Sequence, residues 1–183
     1  MNTLYIALVI FGVVILWVIM TYNGLVTLRN RLREALSDID VQEKRRFDLI
    51  PNLVEMVKGY MAHERGVLEN VTRARASVSQ AGNPLERDKS ENMLSGALKT
   101  LFAVAESYPD LKANTNFLSL QSELSDTEDK IQAARRFYNS TVMDLNSTVE
   151  SFPANLIAGT FGFKSDKFFE TTGEEDRPVP VKF

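Results

Sequence analysis

The chain opens with an unbroken apolar run, and helically spaced apolar side chains follow it. Residues 4–20 carry apolar or aromatic side chains and one glycine, and no charged side chain precedes Arg29. An apolar helix of about 20 residues crosses roughly 30 Å of hydrocarbon. The pattern therefore predicts a transmembrane anchor over residues 1–22. The residues that mark it are Leu4, Ile10, Gly12, Trp17 and Met20.

A cleaved signal peptide is the main alternative for this segment. It would need a basic residue before the apolar run and a small-x-small site after it. Residues 1–3 carry no basic side chain and residues 20–22 form no such site, so a retained span is favoured. Because Arg29, Arg31 and Arg33 follow the span, the positive-inside rule predicts an outside N-terminus and a cytoplasmic body in a bacterial inner membrane.

Beyond the span, apolar residues recur at three- and four-residue steps between charged ones, as Leu25, Leu28 and Leu32 do. Such stripes bury themselves against other helices. The predicted fold is therefore all-α, with the transmembrane helix followed by an antiparallel up-and-down four-helix bundle of long helices. The bundle covers residues 23–152, with helices over 23–48, 52–80, 85–106 and 114–151. Asn114 or Thr115 is suited to cap the last helix.

Pro51 leaves two interpretations open. Proline removes a backbone donor and disfavours helical torsions at Ile50, so residues 48–51 form either a turn between two helices or a kink in one long helix. The turn is preferred because it gives two helices of similar length, which suit antiparallel neighbours. Residues 81–84 and 107–110 concentrate turn formers and predict the other breaks.

The C-terminal part, residues 153–183, consists of an apolar segment and a polar tail. Residues 154–163 are apolar and glycine-spaced, which favours a cap over one end of the bundle, with a membrane-dipping or partner-binding patch as the alternative. Residues 164–183 are expected to form a loosely held tail. Aromatic side chains exposed together would suit a protein partner. The candidate interaction residues are Phe161, Phe163, Phe168 and Phe169.

Composition narrows the function classes. The chain has no cysteine, which excludes a lipoprotein anchor and a disulfide framework. Its formal net charge is −3, and its acidic and basic side chains alternate along the sequence, so no basic face for nucleic acid is expected. With His63 as the single histidine, zinc and iron sites lack their usual ligands, and no cofactor is expected. A carboxylate-only calcium or magnesium site stays open, without an EF-hand-like loop to support it.

Six arginines and three glutamates are the candidates for a polar centre. Glu123 and Glu128 could act as acid and base, but their five-residue separation places them on different helix faces. Ion pairs that fix the register of packed helices explain the same residues without catalysis. Since no serine elbow or phosphate-binding loop is present either, no enzymatic activity is expected. The nine candidates are Arg45, Arg46, Arg73, Arg75, Arg135, Arg136, Glu64, Glu123 and Glu128.

Several short motifs together resemble one family. They include YNGLV at 22–26, RRFDLIPNLV at 45–54, VKGY at 57–60, YPDLKAN at 108–114 and the Phe-Pro pair at 152–153. In this order and spacing they resemble the LemA family over nearly the whole chain. The resemblance implies a bacterial membrane protein with one N-terminal span and an antiparallel helical bundle, and it implies no particular biochemical activity.

The favoured function is a membrane-anchored helical scaffold that self-associates and organises proteins or membrane at the inner-membrane surface. Its expected partners are the lipid bilayer and further copies of the chain. Another membrane protein is a possible third partner. The alternative is an adaptor for a membrane protease or an envelope-maintenance complex. An enzyme is the least favoured class, because the chain lacks a catalytic constellation.

Overall fold

The computed structural model describes residues 2–82 and 84–169, and every regular element in this part of the chain is a helix. The all-helical prediction is thus confirmed, whereas the antiparallel four-helix arrangement stays a prediction. The helices are α1 (Asn2–Lys58), α2 (Arg65–Gln80), α3 (Pro84–Ala105), α4 (Pro109–Lys112), α5 (Thr115–Glu150) and α6 (Ala154–Phe161).

The first part of α1 presents its apolar side chains outward. None of the side chains from Leu4 to Met20 is buried. Among the described residues, α1 is the one helix that is long and apolar enough to cross a membrane. So much exposed apolar surface is unfavourable in water, which fits the predicted span.

Helix α1 continues through Pro51, so the predicted turn at residues 48–51 is wrong. Proline cannot donate to the carbonyl of Phe47, its i−4 partner in a helix. The Nε of Arg75 on α2 donates to that carbonyl oxygen over 3.1 Å, and the Arg75 guanidinium carbon lies 3.8 Å from the centre of the Phe47 ring. The next helix thus satisfies the acceptor that the proline leaves open. The chain turns instead at residues 59–64, which interrupts the helix predicted over 52–80.

The chain divides into two compact units, and both α1 and α5 contribute to each. Unit 1 combines the residues up to Ser37 with Ala134–Phe169, and unit 2 is Asp38–Ala133. In unit 2 most of the buried apolar side chains form one cluster drawn from α1 to α5, with Leu53, Leu101 and Phe117 among its largest members. The buried apolar side chains of unit 1 are Leu25, Leu32, Ala35, Tyr138, Val142, Leu145, Ala158 and Phe163.

Helix α5 begins with the side-chain cap that the sequence suggests. Asn114 Oδ1 accepts hydrogen bonds from the backbone amides of Asn116 at 2.9 Å and Phe117 at 3.2 Å, which satisfies two of the free donors of the first turn. The Asn114 side-chain amide also donates to the hydroxyl of Tyr60 over 3.0 Å. The same residue therefore starts α5 and ties it to the turn that follows α1.

Candidate functional site

A buried arginine joins three helices of unit 2. Arg46 on α1 is 1% exposed, and its guanidinium donates to the carboxylates of Glu91 on α3 and Glu128 on α5. It also donates to Ser95 Oγ over 2.7 Å. Ser95 Oγ in turn donates to Glu128 over 3.0 Å, and the side-chain amide of Gln132 donates to the other Glu128 oxygen over 3.1 Å. These five residues form what we call the arginine cluster.

Helical spacing explains why these side chains meet. Residues four apart lie on the same helix face, so Glu91 and Ser95 face one way on α3, and Glu128 and Gln132 face one way on α5. Arg46 occupies a core position of α1, because it falls four residues before buried Ile50. The charged side chains thus interrupt apolar stripes, and each finds its opposite charge inside unit 2.

A second set of ion pairs lies beside the cluster. Arg87 on α3 contacts Asp40 at 2.9 Å and Glu43 at 2.8 Å, both on α1. The Glu43 side chain is buried, and its charge acts on Glu91 as a like neighbour. Ion pairs therefore connect helices α1 and α3 at two places in unit 2.

The two carboxylates of the cluster have pKa values shifted in opposite directions. Burial raises the pKa of Glu91, and the charge of Arg46 offsets this only in part. Burial would also raise the pKa of Glu128, but the charge of Arg46 and the hydrogen bonds from Gln132, Ser95 and Arg46 outweigh it, so its pKa lies below the ordinary value. Environments that separate two carboxyl pKa values are typical of catalytic acid and base pairs. Whether these two carboxylates could transfer protons therefore depends on whether a ligand can reach them.

A cavity of about 320 Å³ reaches the cluster at Ser95 and Glu128, and Phe102 and Gln121 also line it. Glu128 already accepts hydrogen bonds from three side chains, so little of its accepting capacity is left for a ligand. Glu91, whose raised pKa would suit an acid, is 2% exposed and is not part of the cavity lining. The arrangement suits a cross-link between helices better than proton transfer.

The other candidates for a polar centre lie apart from the cluster. Arg45 pairs at 3.8 Å with Glu123, with both side chains about half exposed. Glu64 accepts a hydrogen bond from the Tyr108 hydroxyl over 3.1 Å. Arg75 donates a hydrogen bond to the carbonyl of Phe47, and Arg135 belongs to unit 1. Two further arginines are exposed, Arg73 and Arg136.

The sequence candidates omit three members of the arginine cluster, which are Ser95, Gln132 and the charged residue Glu91. The signal for Glu91 is its register, since it lies three residues before Leu94 on the stripe that continues through Leu98 and Leu101. A charge at a stripe position points to a buried ion pair. The single histidine, His63, is exposed in the turn after α1. Within the described residues, no group of three or more histidines and carboxylates is placed to hold a metal ion.

Residues 164–169 are held by two asparagines of α5. Asn139 donates to the carbonyl of Phe169 over 3.2 Å and accepts from its amide over 2.9 Å. Asn146 binds Asp166 in the same way, at 2.9 Å and 2.8 Å. The hydroxyl of Tyr138 also donates to the carbonyl of Lys167 over 3.2 Å. We call residues 164–169 the strap.

The geometry of the strap follows from two different rises per residue. Asn146 lies seven positions after Asn139, about 10.5 Å along the helix axis, and Phe169 lies three positions after Asp166, about 10 Å along an extended chain. The two asparagines can therefore bind both peptide groups at once. The expectation of a loose tail is wrong for residues 164–169, and residues 170–183 lie outside the part that the structure describes.

The four candidate aromatic residues have different surroundings in unit 1. Phe163 is buried, and Arg29 lies 5.0 Å from the centre of its ring. Phe169 packs edge-on against Tyr138 at 4.9 Å between ring centres. Phe161 and Phe168 are exposed. Phe161 and Phe168 are thus the most accessible of the four to a partner, and the interaction role of all four stays a prediction.

Comparison with known proteins identifies the family of the chain. The profile described as the LemA family matches residues 35–183. The chain is 32% identical over 140 residues to Protein LemA of Metamycoplasma hominis, an alignment that covers 74% of this chain and 63% of that protein. The chain thus spans less than two thirds of this relative.

Two further relatives bear another name. The chain is 25% identical over 187 residues to Magnetosome protein MamQ 2 of Paramagnetospirillum magneticum, and 24% identical over 187 residues to Magnetosome protein MamQ of Magnetospirillum gryphiswaldense. Each alignment covers 88% of this chain and 69% of the relative. The family profile covers most of the chain, including Arg46, Glu91 and Glu128 of the arginine cluster. The chain belongs to the LemA family.

Proposed function

We propose that this chain is a membrane-anchored helical scaffold that self-associates and organises proteins or membrane at the inner surface of a bacterial inner membrane. Its span inserts with the N-terminus outside, and the remaining helices form an antiparallel up-and-down four-helix bundle on the cytoplasmic side. The proposal includes no catalytic activity and no cofactor.

The observation that carries the proposal is that α1 combines an exposed apolar part with a part that packs against other helices. Its first part exposes an apolar surface of membrane-spanning length. Farther along the same helix, Arg46 binds carboxylates of α3 and α5. One continuous helix that carries both features suits a scaffold.

The chemistry of the arginine cluster supports a structural role. Its two carboxylates are occupied by the guanidinium of one buried arginine, and such pairs fix helix register more than they serve substrates. The similarity to proteins named magnetosome proteins also supports a role in a cellular assembly. The positive charges of Arg29, Arg31 and Arg33 support the cytoplasmic placement of the body.

The test is the mass of the intact protein in mild detergent, measured by light scattering across a wide range of protein concentration. We expect a uniform assembly larger than a monomer. The matched control is Gly12→Leu, because Gly12 is the one glycine within residues 4–20 and no neighbouring atom would contact an added Cβ. Association through the body should leave the mass of this variant unchanged.

Two results would contradict the scaffold. A monomer at every concentration would show that the chain does not self-associate. Dissociation of the Gly12→Leu variant would place the contact in the span, where small residues allow close helix packing, and not in the body.

An adaptor is the second candidate, and the exposure of Phe168 favours it. Exposed aromatic side chains often anchor a protein partner, and Phe168 lies in the strap with its ring accessible. A photo-crosslinker at position 168 in cells should then trap a protein of different mass, with position 137 on α5 as the exposed aromatic control. Adducts of the chain with itself alone would favour the scaffold instead.

A further inference from the structure

We propose that α6 lies in the interfacial layer of the bilayer that α1 spans, with Phe152 and the exposed face of α6 in contact with lipid. The protein would then hold the membrane at two places, by a span and by a short helix that lies in one leaflet. This inference rests on the proposed membrane anchoring.

The first argument is the position of α6 in unit 1. The Phe161 ring lies 4.9 Å from the ring of Tyr22, and the Phe163 ring lies 5.8 Å from it. Tyr22 comes two residues after Met20, about 3 Å farther along the axis of α1. The C-terminal end of α6 is thus fixed beside the end of the span, at the level where tyrosine side chains commonly meet the membrane interface.

The second argument is the composition and exposure of the segment. Residues 151–163 contain no charged side chain. Phe152 is 80% exposed, Leu156 is 60% exposed and Phe161 is 54% exposed. Water does not favour such a concentration of apolar surface, and an interfacial helix buries its apolar face about 5–10 Å into the boundary between headgroups and acyl chains.

The third argument is what surrounds the exposed surface. Ala158 and Phe163 are buried and provide an inner side that packs within unit 1. Gly162 adopts a left-handed conformation with φ of 73°, which ends α6 and lets the chain continue into the strap. The nearest positive charges, Arg29 next to Phe163 and exposed Lys164 after it, suit the headgroups of anionic lipids.

Continuity with the span decides between a bilayer and a protein as the occupant. The continuous exposed apolar surface of α1 ends at Met20, Tyr22 follows it, and the ring of Phe161 packs on Tyr22. A bilayer that covers the span up to this level also reaches the outer side of α6. A protein partner would instead have to compete with lipid at the same place.

The experiment measures the depth of single spin labels in the full-length chain, reconstituted in vesicles of phosphatidylcholine and phosphatidylglycerol. Because the natural chain has no cysteine, each variant carries one labelled site. The variants are Leu156→Cys on α6, Ile10→Cys in the span and Phe137→Cys on α5. Phe137 is the matched control, since it is 49% exposed in the same unit and lies 13 residues, or about 20 Å, before the end of α5. Accessibility to oxygen is compared with accessibility to a water-soluble nickel complex.

We expect the ratio of oxygen to nickel accessibility to be highest at position 10 and low at the control position 137. At position 156 the ratio should be several-fold higher than at position 137. The Phe152→Cys variant provides a second label on the same surface and should agree with Leu156→Cys. A low ratio at positions 152 and 156 together with a high ratio at position 10 would overturn the inference and leave the anchor intact. A label at 156 shielded from both reagents would show that protein, such as a second copy of the chain, covers α6 instead of lipid, which also overturns it. A low ratio at position 10 would overturn the anchor and the inference together.

Discussion

Arg46 carries the largest single electrostatic contribution that we expect in unit 2. Its replacement by methionine would leave the carboxylate of Glu91 buried without its counter-charge, at a cost of about 3–5 kcal/mol in the free energy of unfolding. Denaturant unfolding of the full chain in detergent, followed by helical circular dichroism, measures the change. The adjacent residue gives the control, because Arg45→Met removes a half-exposed pair and should cost no more than about 1 kcal/mol. Equal effects of the two substitutions would show that the arginine cluster does not stabilise the fold.

The two carboxylates of the cluster should respond to acid with opposite signs. Because the folded pKa of Glu128 is lowered, its stabilising contribution is complete above the unfolded glutamate pKa of about 4.3 and is lost as the pH falls through the folded pKa. Because the folded pKa of Glu91 is raised, the folded state takes up that proton first, and stability is gained as the pH falls through the raised value.

Replacing either carboxylate should change how steeply the stability falls with pH. Unfolding midpoints measured from about pH 7 to about pH 3 should fall less steeply in Glu128→Gln than in the natural chain, and more steeply in Glu91→Gln. If both variants change the slope in the same direction, the opposite pKa shifts are contradicted.

Arg75 and Pro51 should be energetically coupled. Removal of the Arg75 hydrogen bond and ring contact by Arg75→Met should cost about 1–2 kcal/mol of stability. In a Pro51→Ala background the new backbone amide can bond to the carbonyl of Phe47, so the same substitution should cost less. A double-mutant cycle measures this difference, and exposed Arg73→Met serves as the control without coupling. An unchanged cost in both backgrounds would show that Arg75 does not compensate for the proline.

At the scale of elements, the sequence predicts what depends on local pattern and misses what depends on distant partners. The apolar stripes predict α3 and α5 to within one residue at each end, and Asn114 marks the start of α5. The local pattern at Pro51 predicts a turn, because the group that binds the Phe47 carbonyl lies 28 residues away, on the next helix. The sequence candidates omit Glu91, because a glutamate in a helix usually faces solvent and only the register of Glu91 indicates burial.

The strap shows the same limit of local pattern. Its polar composition resembles that of a free tail, yet side chains from α5 hold it. The double variant Asn139→Ala with Asn146→Ala should release it, and hydrogen exchange at the amides of Asp166 and Phe169 should then be roughly tenfold faster or more, given about 0.5–1.5 kcal/mol for each lost bond. Asn155→Ala, at an exposed position on α6, is the control. Unchanged exchange in the double variant would show that other contacts hold the strap.

At the scale of the whole molecule, the proposed membrane orientation rests on the positive charges that follow the apolar run. Cysteines introduced at Asn2 and at exposed Val41 should be labelled from opposite sides, position 2 by an impermeant reagent added to intact cells and position 41 only after lysis. Replacement of Arg29, Arg31 and Arg33 by glutamine should mix the two orientations, because the positive charges that retain this flank are gone. Labelling of position 41 in intact cells of the natural chain would reverse the assignment.

The way the strap is bound decides which mutations the chain tolerates there. Asn139 and Asn146 bind backbone amides and carbonyls and not side chains, so the amino acids between the two contacts can vary. The number of residues cannot vary, because one extra extended residue adds about 3.4 Å and would move one of the two contacts out of reach. Over the long term we expect this segment to accumulate substitutions readily while it rejects insertions and deletions, so that its length persists where its sequence does not.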